Sequence, residues 1–191
     1  MSLDKYEDEL RQSNDQQTAA VEAQIRRNFE IALHGIIAEI GLLFAKLESD
    51  GKLTYAEMAK YNRLRRLERR IMDQVDQMSA KNQRALRKLL RTAYSHSYEW
   101  MAWAIEKESH ARLAYAAVPM GRIDRIIDEP IGGRPLKGRL SRLRRQTIDE
   151  LFRRITADLV EGSTMRKMTE DVREVLNTSH FDTIRIVRTE A

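Results

Sequence analysis

The first 118 residues of the chain contain no proline. All three prolines, Pro119, Pro130 and Pro135, fall between residues 119 and 138, as do four of the eight glycines, Gly121, Gly132, Gly133 and Gly138. Average usage over this length gives roughly 13 Gly and 10 Pro. Proline removes an amide donor and clashes with the preceding helical turn, so a long proline-free stretch can be helix throughout. Sandwiches and barrels need many Gly- and Pro-bearing turns, which this chain lacks. A disordered chain would hold fewer than 42% hydrophobic residues and show no period. With no cysteine, disulfides, thiolate-bound zinc, iron–sulfur clusters and a cysteine nucleophile are excluded. No apolar run approaches the ~20 residues of a membrane span, and the N-terminus is acidic rather than signal-like. The expected fold class is all-α.

Apolar spacing divides the chain. Residues 1–15 are polar and unpatterned and read as a flexible or partner-bound tail. Residues 16–117 read as a long-helix arm. Within it Phe29, Leu33, Ile36, Ile40, Leu43 and Leu47 form a packing seam, closed by Ser49-Asp50-Gly51. Thr54 and Glu57 have capping-box spacing, and Leu64, Leu67, Ile71, Val75 and Met78 supply the next apolar face. The short connection predicts a long antiparallel hairpin or bundle. A bend is placed at Ser79 to Asn82, after which Leu86, Leu90, Tyr94, Tyr98, Met101 and Ile105 continue as a core-facing stripe, with Trp100 and Trp103 beside it.

Residues 118–139 read as a Pro/Gly connector with a helical turn at Ile123, Ile126 and Ile127. Residues 140–191 read as a small helical domain. One helix runs from about Leu140 to Val160 and stops at Gly162, and Ser163 or Thr164 caps the next. A break is expected at Asn177-Thr178-Ser179. Thr183 to Val187 then reads as a short strand, the start of an α+β domain, or as another helix. The chain ends in mid-pattern at Arg188-Thr189-Glu190-Ala191, which points to a longer protein and a truncated domain.

Charge is segregated. Residues 1–50 carry 5 basic and 10 acidic side chains, residues 51–115 carry 14 and 7, and residues 134–154 carry 8 and 2. Two arginine groups, Arg65, Arg66, Arg69 and Arg70, then Arg142, Arg144, Arg145, Arg153 and Arg154, are the candidate nucleic-acid contacts. A solvated helix face explains them equally well.

Catalytic chemistry is absent from the pattern. The loop around Gly51 and Glu57 resembles the second half of a calcium loop, but Lys46 stands where the first carboxylate belongs and the capping box already employs Glu57. His34, His96, His110 and His180 are scattered without metal-ligand spacing, and His34 reads as a packed or interface side chain. Tyr94, Tyr98, Trp100 and Trp103 could stack on bases, but their helical spacing favours core packing. No cofactor and no enzymatic activity are expected. An Arg-Thr-Glu set occurs in ADP-ribosyltransferase-like domains, yet three adjacent residues build no nicotinamide pocket.

From Pro130 onward the chain runs P-I-G-G-R-P-L-K-G-R-L, a basic-apolar helix, E-G-S-T-M-R-K-M-T-E-D-V and I-V-R-T-E-A. In its order and spacing this resembles the minor head protein (head morphogenesis) family of tailed bacteriophages, the group that includes the phage Mu F-like protein. E-I-G-L-L-F-A-K and L-T-Y-A-E-M-A-K-Y-N-R-L resemble that family's N-terminal hairpin. The matching motif positions are Gly162, Ser163, Met168, Arg188, Thr189 and Glu190. Ile131 and Leu136 depart from the aromatic usual in the Pro/Gly segment, and the family continues past R-T-E.

The resemblance implies a structural virion protein that associates with the portal vertex and acts in head morphogenesis and in DNA packaging, retention or ejection. It implies the phage portal protein as partner, with major capsid or scaffold protein and non-specific DNA as further partners and no membrane. The expected location is inside the head near the portal vertex, and the host cytoplasm during assembly. Gly162, Ser163, Arg188, Thr189 and Glu190 would be structural, with Arg188 and Glu190 an ion-paired turn. The alternative is a helical non-specific nucleic-acid-binding protein.

Overall fold

A computed structural model of the chain describes residues 3–47, 52–110, 118–129 and 135–190. Its helices are α1 (Leu3–Leu47), α2 (Tyr55–Ala59), α3 (Arg63–Ser109), α4 (Met120–Asp128), α5 (Leu136–Glu161) and α6 (Met165–Glu190), with a 3₁₀ turn over Lys60–Asn62. Among the described residues there is no strand, only an isolated antiparallel bridge between Lys52 and Thr164. The fold is all-α. No helix is long and apolar enough to cross a membrane.

Cross-helix contacts set the register. Arg70 reaches Glu39, and Asn82 accepts from Asn28 at 2.8 Å, so α1 and α3 form an antiparallel hairpin. Arg188 on Glu22 and His180 edge-on to Phe29 run α6 antiparallel to α1. Arg144 joins α5 to Asp76 of α3, and Thr147 joins α5 to Ser179 of α6. The result is an up-down-up-down four-helix bundle. Residues of all four helices, among them Ile36, Ile40, Ile71, Val75, Leu151, Ile155 and Val172, share one continuous apolar core.

At 1.5 Å per residue α1 and α3 are about 70 Å long and α5 and α6 about 39 Å. The shorter pair therefore covers α1 only from about Glu22 to Phe44. Residues 3–20 and 92–109 extend past the bundle as a two-helix tip.

Several sequence expectations change. The polar N-terminal stretch is helical from Leu3. The α1 seam keeps Phe29, Ile36 and Ile40 of the expected set and is completed by Ile25, Ala32 and Phe44. Ile25, Phe29, Ala32, Ile36, Ile40 and Phe44 are buried, whereas Leu33, Leu43 and Leu47 flank them. The helix closure at Ser49-Asp50-Gly51 and residues 48–51 of the calcium-like loop lie outside the described residues.

Thr54 does cap a helix, accepting from Glu57 N at 3.3 Å, but that helix lasts five residues. Tyr61 and Asn62 then adopt φ of 55° and 57°, and α3 starts afresh at Arg63. Left-handed conformation is tolerated by Asn and costly for Tyr.

The expected bend at Ser79 to Asn82 is absent because the Asn82 amide is engaged across the hairpin. The expected break at Asn177-Thr178-Ser179 is absent too. Asn177 and Thr178 face outward, while buried Ser179 meets Thr147 at 2.7 Å. Polar side chains with such partners do not compete with the helix backbone. The residues read as a strand, Thr183 to Val187, continue α6 with Thr183 and Val187 buried. Ile123 and Ile127 form the buried face of α4, and Pro135 starts α5 four residues ahead of Leu140.

Candidate functional site

The candidate arginines divide by partner. Arg65, Arg66 and Arg69 are exposed at the start of α3 with no ion pair among the described residues, whereas Arg70 bonds Glu39 at 2.5 Å. On α5, Arg142 and Arg145 are exposed and equally unpaired. Arg144 is held by Asp76 at 3.1 Å. Arg153 and Arg154 both bond Glu150, and Arg154 also reaches Asp171 and Glu174. Hydrogen bonds from Arg153 and Arg154 hold the Glu150 carboxyl at about 2, against an ordinary 4.5. Four of the nine arginines thus carry their own counter-ions.

Two acidic residues that charge counting alone does not single out do the same elsewhere. Asp124 and Asp128 of α4 face Arg87 and Arg91 of α3. Arg87 forms two bonds to Asp128 (2.9 and 2.7 Å) and one to Asp124 (3.2 Å), while Arg91 forms two bonds of 2.8 Å to Asp124. Hydrogen bonds from these arginines lower both carboxyls. The i, i+4 spacing of the two aspartates on a short apolar helix is the signal the sequence offers.

Arg188 and Glu190 are both ion-paired, but not with each other and not in a turn. Both stand on the last turn of α6. Arg188 gives two hydrogen bonds, 2.7 and 3.0 Å, to Glu22 of α1, which lower that carboxyl. The nearly buried Glu190 carboxylate pairs with Arg139 of α5. Thr189 donates to its own helix, at Arg185 O. The set clamps α6 to two neighbours.

Gly162, at φ 65°, closes α5, and Ser163 N returns to Asp158 O at 2.8 Å in the manner of a Schellman end. Thr164 rather than Ser163 caps α6, accepting from Lys167 N at 3.4 Å. Ser163 Oγ donates instead to the buried Asp158 carboxylate at 3.1 Å, whose titration burial pushes up. Lys167 bridges Asp158 and Asp171.

Glu57 completes no reciprocal cap. Its carboxylate bonds Lys60 at 2.7 Å and lies 3.5 Å from Arg63. Among the described residues no three His, Asp or Glu side chains cluster as metal ligands. His34 is exposed on α1 rather than packed. Between α5 and α6 lies a groove of about 400 Å³. Its floor holds the Thr147–Ser179 hydrogen bond, and its rim holds Glu150, Arg154, Glu174 and Asp182.

The tip departs most from the sequence reading. Leu86 and Leu90 are buried and Tyr94 packs against the core, but Tyr98, Met101 and Ile105, on the same stripe, are exposed by 39%, 56% and 49%. The core-facing stripe continues beyond the helices that cover it. Trp100 and Trp103 are half-buried beside it. The charged side chains that line the groove beside Trp100, Glu7 and Glu108, are both acidic, an unfavourable setting for stacking on nucleic acid.

Minor head protein GP7 of Bacillus phage SPP1 is 27% identical to the chain, in an alignment that takes in 98% of the chain. The chain is thus similar to a phage minor head protein over nearly its whole length. It spans 59% of that relative's length. No family model matches the chain, and no solved structure matches it. The likeness to the SPP1 protein takes in both the α1–α3 hairpin and the α5–α6 hairpin, so the ion pairs that join them lie within the shared region.

Proposed function

We propose that the protein is a structural component of a tailed-phage head. In this reading it docks at the portal vertex and acts in head morphogenesis and in the packaging, retention or ejection of DNA. The observation that carries this reading is the likeness to the SPP1 minor head protein over 98% of the chain. The architecture supports it: a bundle with one continuous core bears a long helical extension, the shape of a docking element rather than of a substrate pocket. A structural role, not catalysis, is the corresponding reading of the site residues.

The test is co-expression of the chain with the portal and major capsid proteins of its own phage. Co-purification with the portal at a fixed stoichiometry, and presence in purified heads, is the expected result. Absence from heads, with no binding to either protein, overturns the proposal.

One observation favours a second reading, non-specific nucleic-acid binding. Arg65, Arg66, Arg69, Arg142 and Arg145 are exposed and lack ion-pair partners among the described residues. That reading expects affinity for duplex DNA to fall steeply with salt. Arg65→Ala with Arg66→Ala and Arg69→Ala should reduce the slope by roughly one unit for each phosphate that is no longer neutralised. Substituting the already paired Arg153 and Arg154 should change it less.

A further inference from the structure

The exposed end of the α3 stripe is a feature that the bundle leaves unused. Where α4 and α5 lie against α3, the stripe is closed by Ile123, Ile127 and Leu140. Past Tyr94 nothing among the described residues covers it. Trp100, Met101, Ala104 and Ile105 line an open groove of about 590 Å³, with Glu108 of α3 and Glu7 of α1, the latter bonded by the exposed Arg11 at 3.2 Å, at its edge. Trp100 Nε1 is buried there without a hydrogen-bond acceptor. An apolar stripe at helical spacing beside a groove is the surface that an amphipathic helix recognises.

Charge narrows the occupant. Residues 3–20 and 92–109 together hold eight carboxylates against three basic side chains, in a chain whose net charge is +5. Duplex DNA and anionic lipid are repelled by such a surface. A cationic protein surface is attracted and oriented by it.

We propose that the tip is a docking site for a helix of another protein, one that presents an apolar stripe flanked by lysine or arginine. Met101 and Ile105 anchor it, and Glu7 and Glu108 select its charge. The inference takes up the docking half of the head-protein reading and rests on it for the partner's origin; the chemistry of the partner comes from the tip alone.

The test uses the whole chain and its own fluorescence, because Trp100 and Trp103 are its two tryptophans and both lie in the tip. The probes are a 14-residue amphipathic helix of leucine and lysine and its leucine–glutamate counterpart. A saturable blue shift with the lysine peptide alone is expected. It should weaken at least roughly tenfold in the Met101→Glu, Ile105→Glu variant, the loss typical of removing interface anchors. These positions are exposed, so the bundle's circular dichroism should not change. Glu7→Lys with Glu108→Lys keeps the stripe and should move the preference toward the glutamate peptide.

Equal responses to both peptides, or unchanged binding in the Met101→Glu, Ile105→Glu variant, overturn the proposal. So does sedimentation showing that the chain alone dimerises through Met101 and Ile105, which would assign the tip to a second copy. If that variant still co-purifies with the portal, the tip proposal fails while the head-protein reading stands. If the parent chain binds no head protein yet discriminates the peptides, the reverse holds.

Discussion

Among single residues, Asp158 carries the clearest pH signature. Its carboxyl is buried at the end of α5, bonded by Ser163 and facing both Lys167 and Asp171. Burial raises its titration above the ordinary value of 3.8, so the folded chain holds that proton more tightly than the unfolded chain does. Its contribution to stability therefore falls as pH rises from about 4 through the raised native value. Asp158→Asn keeps an acceptor for Ser163 and removes the ionisation. Thermal melts should show the variant equal to or above the parent at pH 7, with the difference shrinking toward pH 4; a variant several degrees lower at pH 7 would contradict this account. Glu150 has the opposite sign. Its carboxyl, held near 2, stabilises the fold above its unfolded value of 4.5, and this contribution is lost as pH falls toward about 2. Arg153 is exposed and Glu150 and Arg154 are partly so, so solvent screening keeps the effect small.

The helical elements are legible from the 3.6-residue apolar period, and the departures from it have a common cause. Asn82, Ser179 and Thr183 are polar residues on inward faces, and each is satisfied by a partner: Asn28, Thr147 and the Ser179 carbonyl. One chain read alone shows the polar residue but not the partner 54 residues away, so it suggests helix breaks where the helices run on. The converse holds for Met101 and Ile105, which the period assigns to a core, because periodicity says which face is apolar and not whether anything lies against it.

The Asn28–Asn82 bond gives a test at this scale. Asn28→Leu alone leaves Asn82 buried and unpaired and should cost about 1–3 kcal/mol in denaturant unfolding. Leucine at both positions should recover most of that loss while loosening the hairpin register. The latch between α3 and α4 gives another. Arg87→Ala removes three of the five hydrogen bonds to Asp124 and Asp128. Amide exchange in Met120–Asp128 should rise in this variant while the bundle core keeps its protection.

For the molecule as a whole, the charge blocks are visible in sequence and their pairing is not. Arg70, Arg144 and Arg154 are neutralised by carboxylates on other helices, which depends on a register that only the assembled bundle defines, whereas Arg153 pairs within its own helix with Glu150. Equally hidden is the union of the two hairpins. Arg188 and Glu22 are separated by 166 residues in sequence and bonded in the fold. Protection against amide exchange should follow this geometry, highest around Ile36, Ile71, Leu151 and Val172, and decreasing along both helices from Ala20 to Leu3 and from Thr92 to Ser109, where two helices stand without the other pair. Uniform protection along α1 would show that the tip is covered.

The left-handed pair Tyr61 and Asn62 begins α3 at the end of the bundle opposite the tip, and the exposed Arg65, Arg66 and Arg69 stand there. The carboxylate-rich tip lies about 70 Å away along the same helices. The molecule is therefore an electrical dipole laid along a rigid rod. In the field of a dense polyanion one end is drawn in and the other pushed out, and orientation precedes contact. For such a rod the field alone would set which end faces the polyanion and which faces away from it.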